Sequence, residues 1–217
     1  MKKYSFILVS VLVMFLLSCK KDSKQAEDIT SNKIISSQLR ESSLLEQLKN
    51  EANSYSQSIK QIAPQVDLSN IDFTNAYVSA IEHEIGQGIA INLLSTDSKT
   101  VTFMLTKKDN SISVPTLLVI DDKSNINYYD LFSESILTLS IKNDKIQSTI
   151  STYASPNRST HTTHPRKAKP CGQATADCIS DAYSNHGWVS VWATIQSAII
   201  PQTAVAIAAA CAAKHCL

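Results

Sequence analysis

Five cysteines and five histidines are the side chains with the widest chemical reach in this 217-residue chain. Cys171, Cys178, Cys211 and Cys216 crowd into residues 171–217, with His186 and His215 beside them. Together they hold enough soft donors for a zinc ion. Their C-x6-C and C-x4-C spacings are wider than the tight C-x2-C pairs of structural zinc sites, however, so disulfides are the better use of an even set. Glu82-His83-Glu84, taken as strand, puts two carboxylates on one face and an imidazole on the other, which is a solvated strand end and not a dyad. His161 and His164 lack a third ligand. No G-x-S-x-G elbow or H-E-x-x-H helix occurs. Gly86, Gly88, Gly172 and Gly187 build neither a Walker loop nor a G-x-G-x-x-G turn. No catalytic residue, metal site or cofactor is assigned, and the chain is expected not to be an enzyme. The chemistry favoured is thiol oxidation.

The N-terminus bears on where such oxidation would occur. Lys2 and Lys3 precede an apolar run, Tyr4 to Leu17, too short for a transmembrane span of about 20 residues but right for a signal sequence. The run ends in Leu16-Leu17-Ser18-Cys19. These residues resemble the lipobox of bacterial lipoproteins, with Leu three before the cysteine and a small residue just before it. Lys20-Lys21-Asp22 resembles the charged start found in Bacteroidetes lipoproteins. The resemblance implies removal of the signal peptide, 1–18, and acylation of Cys19, palmitate included. It also implies a lipid anchor on a bacterial membrane, the outer membrane, on the extracytoplasmic side. Several acyl chains on one residue make a stable anchor, where one would not. Loss of Lys2 and Lys3 would leave 18 basic groups against 19 acidic ones. Such a balance removes the electrostatic case for a nucleic-acid partner.

Stepping along the mature chain, residues 19–42 are rich in Ser, Lys, Asp, Glu and Gln and read as a lipidated flexible tether. Residues 43–153 read as an α+β domain. Ser43 and Glu46 have capping-box spacing, and Leu45, Leu48, Ala52, Tyr55, Ile59 and Ile62 form one apolar stripe at intervals of three and four. The pattern predicts one helix over 43–62, stopped by Pro64. From Asn75 the period is two, and strands are predicted at 76–82, 88–94, 100–107, 113–120, 126–132 and 135–141, with a seventh at 145–153. Short, even spacing means an antiparallel meander, with the helix laid on it as a second layer. Val114 to Ile120 is apolar on both faces, as in a central strand. Pro115 lies near its start, where a missing donor is tolerated.

Residues 154–170 form a basic Pro/Ser/Thr linker with Arg158, Arg166, Lys167 and Lys169 and no acid. Arg166-Lys167 is a candidate processing site. Residues 171–217 read as a Cys-closed helical subdomain with helices at 173–184, 188–199 and 201–214. A unit this small needs staples. Four cysteines allow three pairings; if the first and last helices are antiparallel neighbours, the nested one is favoured, Cys171 with Cys216 and Cys178 with Cys211. In the chain-entropy picture each bridge is worth about 4 kcal/mol. The uncharged stretch 188–213, with two tryptophans at one end, has the length of a membrane span, but Gln196, Pro201, Gln202 and its alanines favour a helical hairpin packed on itself. An apolar, cysteine-closed helical tail behind a basic linker is similar in general character to the peptide part of bacteriocin precursors. That similarity implies a membrane-active effector with residues 19–170 as carrier. Two functions therefore stand: an anchored lipoprotein with a non-catalytic binding or envelope-interaction role, or the precursor of such a peptide. The partners expected are a membrane, through the N-terminal lipid, and a protein or membrane partner for the tail.

Overall fold

Period-two patterning between short turns produces an eight-stranded antiparallel sheet whose spatial order follows the chain, β1 to β8. A computed structural model describes residues 34–109, 111–121, 125–131, 135–142, 145–152, 172–185 and 200–217, all within the unit Lys33–Leu217. The strands are β1 (Ile34–Gln38), β2 (Tyr77–Ile81), β3 (Gln87–Leu93), β4 (Thr100–Lys108), β5 (Ser111–Ile120), β6 (Ile126–Asp130), β7 (Ser135–Lys142) and β8 (Lys145–Thr152). Among the described residues four α-helices accompany them: α1 (Ser42–Ser54), α2 (Ser56–Ile62), α3 (Gly172–Asn185) and α4 (Ile200–His215). Three expectations need correction. Residues 34–38, assigned to the tether, pair with β2 as an edge strand, Ile34 opposite Ile81 and Gln38 opposite Tyr77. The predicted capping box does not form: Glu41 is the N-cap without a side-chain cap bond, and Ser43 Oγ donates to Glu41 Oε1 at 2.8 Å. The single helix over 43–62 is two, parted at Tyr55 (φ −98°, ψ 11°). Ser54 Oγ donates back to the Asn50 carbonyl at 2.8 Å, the local bond by which a hydroxyl bends a helix.

The strand alternation sorts apolar residues onto both faces of the sheet. On one face Ile89, Ile91, Phe103, Leu105, Leu117 and Val119 meet Leu44, Leu48, Ala52 and Ile59 of α1 and α2. On the other, Tyr77, Ala90, Met104, Leu118, Ile126, Tyr128, Leu137 and Leu139 meet α3 and α4. The result is helix, sheet and helix in three layers. The sequence expectation of a separate helical subdomain fails here, because the tail shares its core with the sheet. Pro115 is tolerated inside β5 by a bulge: Leu105 pairs with Pro115 and Thr106 with Ser113, leaving Val114 over.

Candidate functional site: a glycine-lined bed for the tail helices

The feature with most built into it is the seat of α4. Its residues from Thr203 to Ala213 are all buried, so the helix has no solvent face over three turns. A helix apolar all round has no amphipathic stripe and must be surrounded. It crosses β2, β3 and β4, where the sheet has been cleared for it. A Cβ at Gly88 would stand 2.3 Å from Val205 Cγ1, and one at Gly86 would stand 2.4 Å from Ala213 Cβ and 2.8 Å from the Ala209 carbonyl oxygen. Gly86 also has φ +99°, a conformation that side-chain-bearing residues avoid. The alanines of α4 supply the complementary half of this close approach. Small residues on both surfaces let backbone and helix meet nearly directly.

Polar ties fix the helix along its length. Ser79 Oγ donates to the Gln202 carbonyl at 2.8 Å near its N-terminus. Lys108 Nζ donates to the Ala213 carbonyl at 3.1 Å near its C-terminus, where helix carbonyls lack partners and a cation suits the dipole. Between them the Tyr128 and Tyr183 hydroxyls lie 3.0 Å apart, joining β6 to α3, and Tyr128 also reaches the Ala204 carbonyl at 3.5 Å. Burial holds both phenols above their ordinary pKa, with the neighbouring Tyr183 adding to the rise at Tyr128. Among the described residues, Thr106 Oγ1 is buried with no hydrogen-bond partner. Thr106 pairs with Gly88 in the register, so it lies in the row beneath α4.

Of the expected site residues, Cys178 and Cys211 are joined, with Sγ atoms 2.07 Å apart and Cα atoms 5.7 Å apart. This bridge ties α3 to α4 and removes two donors from the zinc alternative. Cys216 is also disulfide-bonded, and its Sγ lies 3.1 Å from Thr175 Oγ1. Cysteines so bonded supply neither a metal thiolate nor a nucleophile. Cys19, Arg166, Lys167, Cys171, His161, His164 and His186 lie outside the described residues. The helix predicted at 188–199 lies outside them as well. Glu82-His83-Glu84 is not strand: it forms the turn between β2 and β3, His83 has φ 68°, and the Glu84 amide donates to the Ile81 carbonyl at 3.1 Å. His83 and Glu84 are exposed.

As a sequence motif Gly86 and Gly88 build no phosphate loop. Their signal was a pair spaced by two, hence on one strand face, in a chain otherwise poor in glycine and ending in an alanine run. No helix among the described residues is long and apolar enough to cross a membrane. Compared with known proteins, the chain matches no family model, no curated protein and no solved structure.

Proposed function

We propose that this chain is a lipid-anchored, extracytoplasmic protein of a bacterial envelope with a non-catalytic binding role. The observation that carries the proposal is the Cys178–Cys211 bridge between two helices of the core, with Cys211 buried and Cys178 partly so. Structural disulfides belong to oxidising compartments. The lipobox-like Leu16-Leu17-Ser18-Cys19 supplies the route there and the attachment. In the intact mass of native protein from cells, residues 1–18 should be missing, acyl chains should be present, and paired cysteines should account for Cys178 and Cys211. A chain that keeps residues 1–18 and stays in the soluble cytoplasmic fraction refutes the proposal.

One observation favours a second reading, in which the body carries a membrane-active tail released near Arg166-Lys167. The helix from Ile200 onward has no charge until Lys214 and no polar face, an exterior suited to lipid once uncovered. Liposome leakage caused by an oxidised 171–217 peptide tests it. An inert peptide removes this reading and leaves the lipoprotein proposal intact.

A further inference from the structure

We propose that the sheet is a receptor for its own stapled tail, holding it by non-covalent contacts, so that cutting the chain between β8 and α3 leaves the tail seated. The proposal deepens the carrier reading and rests on it only for the existence of a cut in cells; the lipid anchor plays no part. The described staple, Cys178–Cys211, runs from α3 to α4 and so lies wholly inside the tail. What joins tail to sheet among the described residues is non-covalent. It includes the apolar contact of Val205, Ile207, Ile179 and the α4 alanines with β2 to β7, and the ties Ser79–Gln202, Lys108–Ala213 and Tyr128–Tyr183. Gly86 and Gly88 leave room for α4 at two points where a Cβ would strike it. The occupant this surface fits is therefore specific: an uncharged, alanine-rich helix cross-linked to a second helix that presents a tyrosine hydroxyl.

The consequence is a two-step release. Proteolysis at a basic site such as Arg166-Lys167 unlinks the tail without uncovering it, and a second event must lift it from the sheet. Until then the apolar helix is masked from lipid.

The test uses the mature chain with Cys19→Ser, to keep it in solution, and a sequence-specific protease site inserted between Arg166 and Lys167. After complete cutting under native conditions, the two fragments are expected to co-elute in gel filtration and not to bind phosphatidylglycerol vesicles. Fragments that separate at once, or a tail that floats with the vesicles, overturn the proposal. Gly88→Ala pushes a methyl into Val205 and should speed loss of the cut tail roughly tenfold or more. Adding Val205→Ala, which removes the struck methyl groups, should recover most of the retention. A Gly88→Ala chain that keeps its cut tail as long as the parent overturns the role given to the glycine bed. If that variant does not fold, the cut parent chain decides alone. Stripping the tail in urea and applying it to the same vesicles separates the two ideas. An inert stripped tail with persistent co-elution sinks the carrier reading and leaves the receptor standing.

Discussion

At the scale of single residues, the buried hydroxyls under the tail make the sharpest predictions. Burial first, and for Tyr128 its neighbour Tyr183 second, keep both phenols protonated in the fold beyond the pH where an unfolded tyrosine ionises. A phenol whose folded pKa is raised stabilises the fold fully below its unfolded pKa of about 10, and that contribution is lost as pH climbs above it. Urea midpoints should therefore begin to fall as pH passes about 10 and keep falling above it. The double variant Tyr128→Phe with Tyr183→Phe should flatten that fall while leaving neutral-pH stability within about 1 kcal/mol, because both hydrogen-bonding partners leave together. A fall equally steep in the double variant would assign alkaline lability elsewhere. Thr106 makes the opposite kind of case. Its unpartnered, buried hydroxyl costs desolvation and returns nothing, so Thr106→Val, nearly equal in volume, should raise stability by roughly 1 kcal/mol in thermal or urea melts.

At the scale of elements, sequence and structure part where periodicity stops carrying information. The seven strands from β2 to β8 stand within a few residues of the alternating runs that announced them; β2 to β7 put side chains into a core and the period reports it, whereas β8 is exposed over residues 147–152. β1 has no such signature: Ile34–Gln38 is a short edge strand, exposed along most of its length, inside a polar stretch. The spacing puts the stripe on α1 through Leu45, yet Leu44 is the buried residue and Leu45 only partly so. Adjacent leucines leave a helix phase ambiguous by one position. The tail was harder still. A helix buried on every side looks, in composition, like a membrane segment or the core of an independent unit, and only the sheet's cleared face tells them apart. The Cys178–Cys211 bridge was anticipated from antiparallel neighbours within the tail, and that local relation holds even though the tail is not an independent body. Replacing both cysteines by alanine should cost about 4 kcal/mol for the loop it closes. The urea midpoint should fall accordingly, with α4 amides exchanging sooner than those of β4. A loss well under 1 kcal/mol would mean that packing alone holds α3 to α4.

At the scale of the whole molecule, the sheet has two faces to cover and one chain with which to cover them. The first helices close one face early in the sequence, at residues 42–62, whereas the second face waits for α3 and α4, at residues 172–215. Without α3 and α4, the side chains of Tyr77, Met104, Leu118, Ile126, Leu137 and Leu139 would face water, together with Ala90 and Tyr128. Each large apolar side chain so uncovered forfeits roughly 1.5–3 kcal/mol, and a domain of this size has only about 5–15 kcal/mol in all. The bare face would also be a continuous apolar patch of the kind that drives association. A chain ending at Thr152 is therefore expected not to reach the native sheet as a soluble monomer. Near-UV circular dichroism should be lost, a hydrophobic dye should bind, and gel filtration should show aggregates. The full chain cut after folding keeps the tail that this truncation lacks but not its covalent link, so the pair separates the tail's part in forming the sheet from the part played by the connection to it. A truncated chain that folds with intact near-UV signal would show that the sheet stands alone and that the tail is cargo laid upon it rather than half of its core.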